Sequence, residues 1–125
     1  MKIILFHKIK MKLYISIPIT GRPLIEARHH AERLKAKLSE HGHQCITPFD
    51  ICDEPNKPYA YYMGRDIETL LSDDIEGAVF GVGFHDSKGC RLEHAAAQIY
   101  SKHIVYESCF YMLDFKSLIV KPTPL

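Results

Sequence analysis

A short polar segment, Asp86–His94, carries the residues best suited to chemistry. It follows the apolar run 77–84, a pattern that predicts a strand, a turn and then a helix. Ser87 suits a helix N-cap, because its hydroxyl accepts hydrogen bonds from free backbone N–H groups, and Gly89 lets a ligand approach the backbone. Such an entrance attracts anions. Glu93 follows about one and a half turns later, so we expect it beside a ligand held there. The alternative is a surface helix with an ordinary cap.

Length and composition predict one globular domain. The chain has 125 residues, of which 46% are hydrophobic and 25% charged, and its net charge is +1. Lys and Arg are scattered, which argues against polymeric nucleic acid as a partner. Met11-Lys12 repeats the first dipeptide. We therefore expect residues 1–10 to be an N-terminal extension and residues 11–125 to form the domain.

The same survey predicts a cytoplasmic protein with no membrane segment, no metal and no cofactor. The apolar start is too short for a signal peptide, and no stretch approaches the roughly 18 apolar residues that span a bilayer. The four cysteines form no Cys-x-x-Cys motif, which favours free thiols over disulfides or zinc. His41-Gly-His43 is a weak metal candidate, because it offers only two ligands.

Apolar strands alternate with amphipathic helices along the chain. This order predicts an α/β fold, a Rossmann- or flavodoxin-like three-layer sandwich around a mostly parallel sheet of four or five strands. Ligands of such folds bind outside the carboxyl ends of the strands, so we expect residues 16–22 and 84–93 to form the site walls. The predicted strands are 13–19, 44–47, 77–82, 103–106 and 118–120; the helices are 24–41, 59–71 and 89–101; a lid loop spans 48–58.

Three motifs resemble those of the nucleoside 2-deoxyribosyltransferase-like superfamily, and in particular its small bacterial and phage branch, the domain of unknown function 4406. They are Leu-Tyr-Ile-Ser-Ile-Pro-Ile-Thr-Gly (13–21), Arg-Asp-Ile-Glu-Thr-Leu-Leu-Ser-Asp-Asp (65–74) and Ser-Lys-Gly-Cys-Arg-Leu-Glu (87–93). The last spacing is similar to that of 2'-deoxynucleoside 5'-phosphate N-hydrolases. The resemblance covers about residues 11–107.

The resemblance implies cleavage of the N-glycosidic bond of a 2'-deoxynucleoside or its 5'-monophosphate. It implies that Glu93 attacks the anomeric carbon to form a glycosyl-enzyme ester, which water or a second base then resolves. A carboxylate below the sugar and a proton donor at the base suit an oxocarbenium-like transition state. The resemblance gives Asp66 the contact with the base and Tyr14 the orientation of the nucleophile. The alternatives are a core aromatic for Tyr14 and a solvated helix residue for Asp66.

The resemblance also implies a set of substrate-binding residues, with Ser87 at the 5'-phosphate. Ile17 stands where relatives commonly carry glycine, and a β-branched residue there restricts access to the backbone. A catalytically silent nucleotide-binding module of the same fold is therefore the alternative function. His94 points about 100° around the helix from Glu93, so we expect a structural role. The expected binding residues are Ser16, Ile17, Gly21, Arg22, Ser87, Gly89 and Arg91; the alternative for Arg22 and Arg91 is an ordinary surface charge.

The expected partners are a small deoxynucleoside or deoxynucleotide and further copies of the chain. Aromatic residues and Met are concentrated in Tyr59–Met63 and Cys109–Leu113, as is typical of interfaces. A domain of this size also offers only a shallow cleft by itself. We therefore expect a homodimer or larger assembly, with the sites near a subunit interface.

Overall fold

A computed structural model describes residues 10–51 and 54–110 of the chain. Four strands alternate with helices in the predicted order, and a short additional helix follows the second strand. The predicted strand 118–120 lies outside the described residues. The elements are β1 (Lys12–Ser16), α1 (Leu24–Glu40), β2 (Gln44–Ile46), α2 (Pro48–Ile51), α3 (Tyr59–Leu70), β3 (Gly77–Phe80), α4 (Lys88–Ile99) and β4 (His103–Tyr106), with 3-10 turns at Phe84–Asp86 and Glu107–Cys109.

All four strands run parallel, in the order β2-β1-β3-β4. This is the flavodoxin-like order, and it confirms the predicted α/β sandwich. The strand β2 lies on one side of β1, and β3 and β4 lie on the other, so the strand order switches between β1 and β3. There Ser16 pairs in register with Phe80. A crevice forms outside the carboxyl ends of two strands at such a switch point. From this strand order we expect a ligand site just beyond Ser16 and Phe80.

The alternation of side chains along β1 divides the core between two layers. Leu13 and Ile15 pack with α1 on one face of the sheet. Tyr14 points to the other face, where it packs with residues of α3 and α4. Successive side chains of a strand point to opposite faces, so Ser16 lies on the same face as Tyr14. This places both hydroxyl groups of β1 on the layer that contains Glu93.

Several predicted boundaries were wrong. The strands β1 and β3 end at Ser16 and Phe80 rather than at 19 and 82, because a turn with Gly83 in the left-handed region (φ 89°) follows β3. The helix α1 begins at Leu24 as predicted, with Pro23 at its N-cap. Leu24 itself is 57% exposed.

The predicted lid loop 48–58 begins with the helix α2. The Asp50 carboxylate accepts hydrogen bonds from the Thr47 N–H (2.9 Å) and hydroxyl (3.2 Å). Pro48 occupies the first helical position, where its missing N–H costs nothing. Thr47 and Asp50 thus form half of a capping box, a signal that the sequence contains.

Within the described ranges, no helix is both long and apolar enough to cross a membrane. Cys45, Cys90 and Cys109 are free thiols. Burial raises the pKa of Cys45 to about 12, so its thiol is protonated at neutral pH.

Candidate active site

A cavity of about 520 Å³ opens at the carboxyl ends of β1 and β2, between the first turns of α1, α3 and α4. Glu93 and Asp66 both line it. Its wall is mainly apolar and aromatic, as is usual for sites that bind small organic ligands. The lining residues are Ile17, Ile19, Thr20, Leu24, Arg28, Pro48, Phe49, Glu54, Pro55, Tyr59, Tyr62, Met63, Asp66, Ser87, Gly89, Cys90 and Glu93.

Glu93 is held from below by both hydroxyl groups of β1. The Tyr14 hydroxyl donates to Oε2 at 2.7 Å, and the Ser16 hydroxyl donates to Oε1 at 2.7 Å. Tyr14 and Ser16 are fully buried, and Glu93 is 4% exposed at the cavity floor. Two hydrogen bonds to one carboxylate fix its orientation and favour its ionised form. The arrangement suits a nucleophile that must face one point in the cavity.

Burial changes the proton affinities of both carboxyl groups. It raises the pKa of Glu93 to about 7, although the hydrogen bonds from Ser16 and Tyr14 oppose the shift. Burial and the nearby charge of Glu93 raise the pKa of Asp66 to about 7. Burial and the charge of Glu93 also raise the pKa of Tyr14 well above 10, so Tyr14 remains a donor. Near neutral pH the site thus holds one proton close to a carboxylate.

The helix α4 begins as the Ser-x-Gly spacing predicts. The Ser87 hydroxyl caps the helix by accepting from the Cys90 N–H at 3.2 Å. Gly89 lines the cavity but also allows α3 to approach, because an added Cβ would lie 3.0 Å from the Tyr59 hydroxyl and 3.1 Å from the Met63 sulfur. Its lack of a side chain therefore makes room for the wall of the cavity.

Ile17 lines the cavity, but most of its side chain packs into the core on the α1 side of the sheet. It is 3% exposed. A Cβ on Gly81 would lie 2.7 Å from the Ile17 Cγ2 atom. Gly81, in the turn after β3, thus provides the space that the branched side chain needs, and Ile17 and Glu93 both line the cavity.

Four of the seven predicted binding residues do not line this cavity. Ser16 is fully buried beneath Glu93, and the other three lie away from the cavity. Arg22 borders a second cavity, where its Nη1 donates to the Pro18 carbonyl at 2.9 Å. Gly21 is exposed with φ 81°, a backbone conformation that favours glycine. Arg91 is exposed on α4, outside the cavity lining. His94 lies 2.7 Å from the Tyr106 hydroxyl and stacks on Phe84, as its predicted structural role requires.

Sequence reasoning missed the residues that form the aromatic wall. Tyr59, Tyr62 and Met63 precede Asp66 by seven, four and three positions, so they share its face of α3. That spacing was a usable signal. Phe49 had no local signal: its ring lies 4.8 Å from the guanidinium of Arg28, a contact between α1 and α2. Of the described cavity residues, Arg28 is the only Arg or Lys.

The comparison with protein families decides where this chain belongs. Residues 11–106 match the family described as Domain of unknown function (DUF4406). The chain is a member of the DUF4406 family. The match runs from the start of β1 to the end of β4 and includes every element that supplies a cavity residue. No curated protein gives a significant match.

The described part of this DUF4406 domain contains no group of three or more His, Cys, Asp and Glu side chains arranged to hold a metal ion. His43, from the weak metal candidate, instead accepts the Met11 N–H at its Nδ1 (3.1 Å). The DUF4406 cavity contains the carboxyl groups of Glu54, Asp66 and Glu93, and the hydroxyl groups of Tyr14 and Ser16 lie beneath Glu93.

Proposed function

We propose that this protein cleaves the N-glycosidic bond of a 2'-deoxynucleoside or its 5'-monophosphate, as members of the nucleoside 2-deoxyribosyltransferase-like superfamily do. The observation that supports the proposal best is the carboxylate of Glu93, held by Tyr14 and Ser16 at 2.7 Å each on a cavity floor that Asp66 also faces. A nucleophilic carboxylate and a nearby proton donor are what glycosidic cleavage with a covalent intermediate requires.

In the proposed mechanism Glu93 attacks C1' of the sugar from below. A bond forms between a Glu93 oxygen and C1', the bond from C1' to the base nitrogen breaks, and its electron pair goes to the base. Asp66, whose pKa is raised to about 7, gives its proton to the departing base. Water or a second base then attacks C1', gives its proton to the Asp66 carboxylate, and releases Glu93 as a carboxylate; both groups thus return to their starting states. Tyr14 and Ser16 orient Glu93 throughout.

The cavity wall favours a flat aromatic group on one side of the sugar. Phe49 and Tyr62 supply ring surfaces, and Arg28 supplies donors for the oxygen atoms of a base or a phosphate. Ser87, Gly89 and Cys90 line the cavity at the N-terminus of α4, where a 5'-phosphate would meet the positive end of the helix dipole. We therefore propose a 5'-monophosphate as the preferred substrate.

Chromatography of free base released from deoxynucleosides and their monophosphates tests this proposal. We expect release from the monophosphates at lower substrate concentration than from the nucleosides. An added second base that appears in a new nucleoside would identify a transferase, whereas free deoxyribose or its phosphate would identify a hydrolase. An absence of release from every substrate would contradict the proposal.

A nucleotide-binding module without turnover is the second candidate. The low exposure of Glu93, at 4%, favours it, because the carboxylate must meet C1' through a narrow opening. Calorimetry separates the two candidates: a module binds dGMP or dAMP and releases no base, whereas an enzyme does both.

We also propose that the protein forms a homodimer or a larger assembly in the cytoplasm. Tyr59 is 56% exposed, and Leu92, Ile99 and Tyr100 are exposed along α4, so apolar surface is available for a second copy. Of the predicted interface segment Cys109–Leu113, residues 111–113 lie outside the described residues. Light scattering over a concentration series checks this, and a mass of 14.4 kDa at every concentration would refute it.

A further inference from the structure

A second cavity, of about 420 Å³, lies at the same edge of the sheet and contains a polar network that the proposed chemistry does not use. Four segments meet there. Arg22 follows β1, His30 belongs to α1, Val82 follows β3 and Glu107 follows β4. The loop after β1 borders both cavities, with Ile17, Ile19 and Thr20 at the first and Pro18 and Arg22 at the second.

One chain of short contacts joins these four segments. His30, which is 5% exposed, places Nε2 at 2.6 Å from Glu107 Oε1. The same Glu107 oxygen accepts the Val82 N–H at 2.8 Å. On the other side of the ring, Arg22 Nη1 lies 3.1 Å from His30 Nδ1 and donates to the Pro18 carbonyl at 2.9 Å.

These contacts determine the tautomer of the His30 ring. A guanidinium only donates, so the His30 Nδ1 atom that faces Arg22 must be the acceptor. The proton of the neutral ring is therefore on Nε2, where it is donated to Glu107. Burial raises the pKa of Glu107, but the hydrogen bonds from His30 and the Val82 N–H outweigh it and hold that pKa below its ordinary value.

The network lies directly behind one wall of the catalytic cavity. Ile17, Ile19 and Thr20 line that cavity, and the carbonyl that Arg22 holds belongs to Pro18, between them. A Cβ on Gly81 would meet both Ile17 and His30, so the network and the wall pack against the same point of the backbone.

We propose that His30 and Glu107 are positioning residues that act through Arg22: they hold the segment 17–20 in the shape that fits the substrate. The inference rests on the proposed function for its kinetic consequence. Neither side chain lines the catalytic cavity, so neither can contact the reacting atoms. We therefore expect their loss to weaken the binding of the substrate and of the transition state equally, which raises KM and leaves kcat unchanged.

The chain offers matched variants for a test. In His30→Leu and Glu107→Leu the network is broken, and we expect KM to rise about tenfold with kcat within about threefold of wild type. Glu107→Gln keeps an oxygen that accepts hydrogen bonds from both His30 and the Val82 N–H, so we expect its KM to equal that of wild type. His43→Leu is the control. His43 is also buried, but it accepts its hydrogen bond from the Met11 N–H at the amino end of β1, away from both cavities. This variant should lower Tm without changing KM.

Nitrogen NMR of the His30 ring gives a readout that does not depend on activity: we expect the proton on Nε2 and a bare Nδ1. A proton on Nδ1, or an equal KM in His30→Leu and His43→Leu, would overturn the inference. If wild type binds dGMP without releasing base, the same variants are compared by their Kd for dGMP, measured by calorimetry. The test therefore does not depend on the proposed reaction. If wild type does not bind dGMP, both proposals fall.

Discussion

Tyr14 and Glu93 are 79 positions apart in the chain, yet the Tyr14 hydroxyl on strand β1 lies 2.7 Å from the Glu93 carboxylate on helix α4. The contact exists because β1 and β3 are neighbours at the switch point, and α4 follows β3 directly. A strand hydroxyl fixed in the core thus orients a carboxylate on a helix. This preorganisation underlies the proposed nucleophile, since a rigid neighbour limits the directions in which the carboxylate points.

Replacing Tyr14 by Phe removes one of the two hydrogen bonds to Glu93. That bond lowers the pKa of Glu93, so its loss raises the pKa further above about 7 and moves the acid limb of the pH–rate profile to higher pH. We expect kcat at pH 7 to fall about 10- to 100-fold, the usual effect of losing a charge-assisted hydrogen bond. Tyr62→Phe is the control, because its hydroxyl bonds the backbone of Glu54 and Lys57. An unshifted acid limb would contradict the role of Tyr14.

Replacing Asp66 by Asn removes the proposed proton donor. For ordinary purine deoxynucleotides we expect kcat to fall about 10²- to 10⁴-fold and the basic limb of the pH profile to disappear. A 7-methylated purine departs without needing a proton, so the variant should cleave that substrate at nearly the wild-type rate. Equal losses on both substrates would show that Asp66 does not act as the acid.

Replacing Glu93 by Gln should stabilise the folded protein at alkaline pH. The folded pKa of Glu93, about 7, lies above its ordinary value of 4.5, so the folded state binds more protons than the unfolded state between these values. The stability of wild type therefore falls as pH rises through this window, and the neutral amide avoids that loss. We expect a gain on the order of 1 kcal/mol or more at pH 8 that disappears near pH 4. Urea denaturation at both pH values measures the difference in unfolding free energy between the variant and wild type. A larger gain at pH 4 than at pH 8 would contradict the raised pKa of Glu93.

Two helical glycines make a matched pair for testing the cavity wall. A Cβ on Gly64 meets nothing within 4 Å, so Gly64→Ala should stabilise the protein by about 0.5–1 kcal/mol. A Cβ on Gly89 would crowd Tyr59 and Met63, so Gly89→Ala should be less stable than Gly64→Ala by about 1 kcal/mol or more and should raise KM. Denaturation curves and kinetics check both, and equal stability of the two variants would refute the crowding.

Much of the fold was predictable because its local signals agree. The apolar runs and helix signals gave the order of the four described strands and their helices, and β4 was predicted at its observed bounds. The Ser87 cap was also predicted correctly. The ends of β1 and β3 were not, because ladder pairing rather than apolar content decides where a strand ends, and Pro18 and Gly81 lie beyond the paired residues.

The sequence predicted site residues whose positions follow from spacing within one helix or strand. It did not predict those whose positions depend on contacts between different elements. The helix-start spacing predicted Glu93 beside a ligand, and the family resemblance indicated Asp66; both residues line the cavity. Arg22 lies in the predicted wall segment, yet its guanidinium turns to His30 and Pro18, partners that local sequence does not reveal. Arg28 faces the cavity because α1 and α2 pack through Phe49, a contact that only the folded chain creates.

The central claim is that Glu93 is the nucleophile in cleavage of a deoxynucleotide. Its most direct test is the rate of free base release by wild type, Glu93→Gln and Glu68→Gln, since Glu68 is an exposed carboxylate of α3 that does not line the cavity. We predict that Glu93→Gln folds as wild type does and releases base more slowly by a factor on the order of 10³ or more, because an amide cannot form the ester, while Glu68→Gln keeps the wild-type rate. Base release by Glu93→Gln at the wild-type rate, or no release by wild type, would contradict the claim.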